Sequence, residues 1–87
     1  MRQLRFTPEA WDDFEHWQTQ DKKTLRRIQL LVKEILRTPF AGTGKPEPLR
    51  YSLANCWSRR IDDTNRIVYQ VQDDAVLILQ LRYHYSR

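Results

Sequence analysis

The hydrophobic period of this chain changes once, between Pro39 and Pro48, and that change dictates its architecture. Before it, Leu25, Ile28, Leu31, Val32, Ile35 and Leu36 recur at the spacing of one helix face, with lysines and arginines between them. Asp21 suits the N-cap of that helix, and Pro39 ends it by pushing the preceding residue out of helical geometry. A shorter helix comes first. Thr7 can cap it, Pro8 suits its first position, Glu9 complements its dipole, and Trp11, Phe14 and Trp17 form its apolar stripe. Arg2–Phe6 reads as a strand ahead of it. Phe40 to Pro48, with Gly42, Gly44, Pro46 and Pro48, reads as a loop. Beyond it, strands are expected over Cys56–Ile61, Arg66–Gln72 and Ala75–Tyr83, with turns at Asp62–Asn65 and Asp73-Asp74. Connections this short make an antiparallel meander. Strand, helix, helix and strands in that order predict an α+β fold, with two N-terminal helices packed on one face of a small, mainly antiparallel sheet.

The register of the last two strands follows from their apolar stripes. Ile67, Tyr69 and Val71 alternate with more polar positions, and Leu77, Leu79 and Leu81 do the same. If both sets face the helices, a two-residue turn is excluded, because it would send them to opposite faces. A three-residue turn, Asp73-Asp74-Ala75, pairs Gln72 with Val76, Ile67 with Leu81 and Arg66 with Arg82. Arg66, Arg82 and His84 are then expected on the face away from the helices, with His84 a diagonal neighbour of Arg66.

At 87 residues the chain allows one domain, expected over residues 1–87. Its net charge of +4, with arginine supplying most of the 15 basic residues, favours a polyanionic partner, nucleic acid first. Cys56 is the only cysteine, so neither an intramolecular disulfide nor a thiolate zinc site can form. It is expected in a small buried or turn position. Arg2 and Arg5 interrupt the N-terminus and no apolar core follows them, so no secretory signal is expected. The longest apolar run, Ala75 to Leu79, is far short of a membrane span. A cytoplasmic protein with no membrane partner is the expectation.

The last six residues, Arg82-Tyr83-His84-Tyr85-Ser86-Arg87, concentrate a titratable group, aromatic rings and phosphate-binding cations. RNA can be cut without a metal when its own 2′-hydroxyl attacks the adjacent phosphate. That step needs a base for the hydroxyl, an acid for the leaving 5′-oxygen, and cations for the charge that builds on the phosphate. Glu47 is the candidate base, held between Pro46 and Pro48, with Lys45 close by. His84 is the candidate acid and Arg66 the candidate phosphate clamp. Tyr83 belongs with the leucine face and is expected in the core, whereas Tyr85 is better placed to stack on a base or orient the phosphate. His16 reads as surface or cap-side packing. The pairs Asp12-Asp13, Asp62-Asp63 and Asp73-Asp74 fit solvated helix and turn positions better than a metal site. No P-loop, dinucleotide fingerprint or metal-ligand spacing is present, and no cofactor is expected.

Several segments in combination carry a resemblance. They are Trp11-Asp12-Asp13, Arg37 to Phe40, Gly44 to Leu49, Trp57-Ser58-Arg59-Arg60-Ile61, Arg66 to Tyr69 and Arg82-Tyr83-His84-Tyr85. Along nearly the whole length the chain resembles the YoeB (Txe) toxins of the RelE superfamily, from bacterial toxin–antitoxin systems. The resemblance implies a RelE-like fold and a ribosome-dependent endonuclease that cuts mRNA in the A site. Glu47, Arg66, His84 and Tyr85 match the family's catalytic residues. Lys45 and Arg60 match basic positions, and Arg82 joins them as an RNA-binding candidate. Also implied are a homodimer, a YefM-like antitoxin that wraps the toxin, and operator DNA binding only through that antitoxin. Ser86-Arg87 extends beyond the usual ending. Two other readings remain on sequence grounds: a toxin-fold binding module, such as a ParE-like gyrase poison, and a regulator that binds DNA with its antitoxin. The binding module does not need Glu47, Arg66 and His84 together, and the regulatory role can coexist with RNA cutting.

Overall fold

The computed structural model describes residues 2–50 and 54–83, and the elements within them are an α+β arrangement. Strand β1 (Gln3–Phe6) leads into helix α1 (Pro8–Gln20) and helix α2 (Lys22–Arg37). Strands β2 (Glu47–Pro48), β3 (Cys56–Arg60), β4 (Arg66–Val71) and β5 (Ala75–Gln80) follow. They form one sheet in the order β1-β5-β4-β3-β2, with β1 parallel to β5 and every other pair antiparallel.

The caps act as the sequence requires. The Thr7 hydroxyl accepts from the Ala10 amide at 3.0 Å, with Pro8 starting the helix. Asp21 serves both helices at once. Its amide donates to Trp17 O at the end of α1, and its carboxylate accepts from Lys23 and Thr24 at the start of α2. The helices therefore turn against each other with one residue between them. Ile28, Leu31 and Ile35 of α2 and Ala10 and Trp17 of α1 are buried against Ile67, Tyr69, Val71, Val76, Ile78 and Leu81 of the sheet side. Each fully buried aliphatic side chain here contributes about 1.5–3 kcal/mol.

Several expectations need correction. Trp11 is 46% exposed: at the rim of the core its ring meets Phe6 edge to face and tilts against Phe14. Glu47 and Pro48 are not loop but a short edge strand. They pair with Trp57 and Ser58 of β3, so Glu47 sits at a register position of the sheet. The turn at Asp73-Asp74 has two residues, closed by the Gln72 amide on Ala75 O at 2.8 Å. Val76 and Ile78 consequently face the helices, and Leu77 and Leu79 do not share that face as expected. A β-bulge then restores the frame. Tyr69 pairs with Ile78 and Val68 with Gln80, leaving Leu79 as the extra residue. Leu81 thereby returns to the buried side. The offset expected in the turn is carried by the strand itself.

Past the bulge, the Arg66 amide donates to Tyr83 O at 2.9 Å, so Arg66 runs beside Arg82-Tyr83. Tyr83 is not in the core. It is 61% exposed with a left-handed φ of 67°, which turns it out of the strand direction. The expected positions of His84, Tyr85, Ser86 and Arg87 lie outside the described residues.

Candidate active site

Strand register assembles the site on the sheet face away from the helices. Glu47 is paired with Ser58, Ser58 with Val68, and Arg60 with Arg66. Side chains at paired positions share a face, so Glu47, Ser58, Arg60 and Arg66 project together. Arg66 reaches diagonally back across β3. Its Nη1 donates to Glu47 Oε1 at 3.1 Å and to Ser58 Oγ at 3.1 Å. The Arg66 side chain is 23% exposed and that of Glu47 58%, so the pair opens to solvent on the carboxylate side.

Two guanidinium groups lie opposite each other at Arg60 and Arg66, a pairing that is repulsive by itself. Each has its own carboxylate: Arg66 has Glu47, and Arg60 has Asp63 at 3.7 Å. Lys45 is exposed at a left-handed φ of 54°, next to Gly44, whose carbonyl accepts from the Arg60 amide at 2.7 Å. Arg82 lies with its guanidinium carbon 4.6 Å from the centre of the Tyr83 ring, a cation–π contact. Glu47, Arg66, Arg60 and Lys45 therefore gather around one sheet corner, with Arg82-Tyr83 beside Arg66. An exposed carboxylate next to clustered guanidinium groups can accept a proton on one side and hold phosphate oxygens on the other. Among the described residues there is no group of three or more His, Cys, Asp or Glu side chains able to hold a metal.

The family model described as the YoeB-like toxin of bacterial type II toxin–antitoxin systems matches residues 6–85. The chain belongs to this family. Toxin YoeB of Mycobacterium bovis is 55% identical over 85 residues, covering 98% of this chain and 100% of the relative. Among solved structures, the YoeB dimer from Staphylococcus aureus superposes with a TM-score of 0.89 at 39% identity, covering 97% of this chain and 98% of that one. The toxin of the YoeB–YefM complex from Staphylococcus aureus gives 0.86 at 37% identity, covering 98% of this chain and 99% of that one. This chain is thus a toxin of a type II toxin–antitoxin system, with the fold of the YoeB toxins.

Seen within this family's fold, three features of the site escaped the sequence reading. Ser58 is buried beneath Arg66 and fixes its guanidinium. Its position two residues before Arg60 on one strand was the available signal. Arg59, on the opposite face of β3, is fully buried and bonds five groups. Its Nε donates to the Tyr69 hydroxyl, Nη1 to Glu34 and Thr43 O, and Nη2 to Thr38 O and Ala41 O. It holds the loop that leads to Lys45 and Glu47. Gly42 sits in that loop at φ 123°, where a Cβ would overlap the Glu34 carboxylate. The Glu34 carboxyl is held below its ordinary range, chiefly by the Thr43 amide. Partial burial opposes this, and the Thr43 hydroxyl and Arg59 add to it. Residue type alone does not distinguish Arg59 from its half-buried neighbour Arg60; the signal was that Arg59 alternates with the apolar Trp57 and Ile61. The third feature is Asp13, expected to be solvated, which instead accepts from the Leu81 amide at 3.0 Å.

Proposed function

We propose that this toxin is a ribosome-dependent endoribonuclease that silences translation by cutting mRNA in the A site. The observation that carries the reading is the Glu47–Arg66 pair at 3.1 Å, set by strand register and open to solvent on the carboxylate side. Glu47 takes the proton of the RNA 2′-hydroxyl as that oxygen attacks the adjacent phosphate. Arg66, steadied by Ser58, exchanges its bond to Glu47 for one to a non-bridging phosphate oxygen as charge builds there. Arg60 and Lys45 add charge at the same corner, and Arg82 holds RNA on the far side of Arg66. His84 follows Tyr83 directly and gives its proton to the leaving 5′-oxygen, while Tyr85 orients the phosphate. The reaction ends in a 2′,3′-cyclic phosphate and a new 5′-hydroxyl, with no cofactor in any step.

The relatives' dimer and YoeB–YefM complexes support two of the partners: a second copy of the toxin, and a YefM-like antitoxin that neutralises the basic corner. The toxin works in the cytoplasm and meets operator DNA only through the antitoxin. Residues 1–87 act as one domain. Primer extension on translated and untranslated mRNA tests the reading. Cuts confined to translated message, and absent with Glu47→Ala, are expected. Cutting of naked and translated RNA alike would overturn the ribosome dependence. Toxicity without any cut would favour a binding toxin.

A further inference from the structure

The chain beyond β5 is held at three points by side chains from elsewhere in the fold. The Leu81 amide donates to Asp13 Oδ2 at 3.0 Å, and the Leu81 carbonyl accepts from Trp17 Nε1 at 2.8 Å. Both partners lie on α1, one helical turn apart and on the same face. Leu81 is fully buried and Trp17 is 8% exposed, so water does not compete freely for the Trp17 bond; the Asp13 bond is partly buried. The third point is the Tyr83 amide, which donates to Asn65 Oδ1 at 2.7 Å. Asn65 is itself held, because its amide and side-chain nitrogen both donate to Asp62. The Tyr83 carbonyl completes the clasp by accepting from the Arg66 amide at 2.9 Å and from Gln80 Nε2 at 3.1 Å.

These contacts do more than stabilise a strand end. β5 stops at Gln80, and Tyr83 takes a left-handed backbone, so regular ladder pairing does not continue here. Three side chains and the single Arg66 amide bond direct the chain instead. The residue that follows is His84, whose proposed role needs a defined distance from Arg66.

We infer that Asp13, Trp17 and Asn65 are positioning residues, which clasp Leu81 and Tyr83 and thereby fix where the acid-bearing tail begins relative to Arg66. The inference rests on the proposed role of His84. Misplacing a catalytic group by about 1 Å can cost on the order of 100-fold in rate. None of the three need touch RNA. Loosening the clasp should therefore lower the rate of the bound complex and leave substrate binding unchanged.

The test is single-turnover cutting of mRNA on programmed ribosomes by full-length Asp13→Ala, Asp13→Asn, Asn65→Ala and His84→Ala, each checked for folding by circular dichroism. Asp13→Ala and Asn65→Ala should each lower the maximal single-turnover rate about 10- to 100-fold, with little change in the toxin concentration that gives half that rate. Asp13→Asn keeps an oxygen for the Leu81 amide and should recover most of the rate. Wild-type cutting by Asp13→Ala and Asn65→Ala, with His84→Ala inactive, overturns the clasp while leaving the role of His84 intact. Equal losses in Asp13→Ala and Asp13→Asn overturn it too, since charge rather than the acceptor would then matter. Should Asp13→Ala fail to fold, Asn65→Ala, at an exposed turn, carries the same decision. Wild-type cutting by His84→Ala overturns the acid assignment on which the clasp rests.

Discussion

Replacing Arg59 by methionine should destabilise this protein more than any change at the exposed corner. Methionine keeps the apolar stem but removes every donor. The guanidinium is fully buried and bonds the Tyr69 hydroxyl, the carbonyls of Thr38, Ala41 and Thr43, and the Glu34 carboxylate. Removing one partner of a buried pair typically costs about 3–5 kcal/mol. Two facts favour the lower end. The Glu34 side chain is 35% exposed and keeps its bonds from the Thr43 amide and hydroxyl, and Tyr69 keeps its bond to Pro39 O at 2.7 Å. About 3 kcal/mol is therefore expected, a large share of the roughly 5–15 kcal/mol that stabilises a domain. At this size that corresponds to a fall in Tm of roughly 12–24 °C. Urea unfolding followed by tryptophan fluorescence and by circular dichroism measures it, with the slope m unchanged. Arg59→Lys should recover less than half of the loss, because an ammonium cannot span the fork of carbonyls. A loss below about 1 kcal/mol would show that water replaces the guanidinium at little cost, and that the loop to Glu47 is held by something else.

The depressed Glu34 carboxyl makes a signed prediction about pH. Its folded pKa lies below the unfolded value, so its contribution is fully present above about pH 5 and is lost as pH falls through the folded value. Urea midpoints from pH 6 to 3 should therefore fall less steeply for Glu34→Gln than for wild type, and parallel slopes would contradict the assignment. Glu47→Ala and His84→Ala should each lower ribosomal mRNA cutting at least about tenfold with the fold intact, as quantified by primer extension. Ser58→Ala should weaken cutting more mildly, because it removes one hydrogen bond that steadies Arg66 and no proton-transfer group. Antitoxin association, followed by stopped flow, should slow as salt rises, since the basic corner steers an acidic partner. A flat response would place the encounter elsewhere.

Much of the fold was legible because one signal served each element. Thr7, Pro8, Asp21 and Pro39 mark the helix ends, and the Leu25–Leu36 stripe marks the buried face. The turn at Asp73-Asp74 was misread for a physical reason. Ala75, Val76, Leu77, Ile78 and Leu79 are all apolar, so alternation does not distinguish the two faces of β5. A bulge at Leu79 then shifted the frame, and no residue type announces a bulge of this kind. β2 was missed because a Glu-Pro pair preceded by Pro46 carries no strand pattern, and only the edge of β3 makes it a strand. At the site, Glu47, Arg60 and Arg66 were legible as isolated chemistry, and the sheet brings them to one face. Ser58, Arg59, Asp13, Trp17 and Asn65 were not singled out for it, because they act through contacts distant in sequence.

The central claim is that Glu47 and Arg66 drive attack by the RNA's own 2′-hydroxyl. The most direct measurement is to programme ribosomes with an mRNA carrying a single 2′-deoxynucleotide just 5′ of the scissile phosphate, and to map the ends formed on that and the all-ribose message. A 2′,3′-cyclic phosphate and a 5′-hydroxyl are expected from the ribose message, and no cut at the deoxy position. Cutting of the deoxy-substituted message at an undiminished rate, or ends bearing a 5′-phosphate, would mean that water or another nucleophile attacks, and the roles assigned to Glu47 and Arg66 would fall.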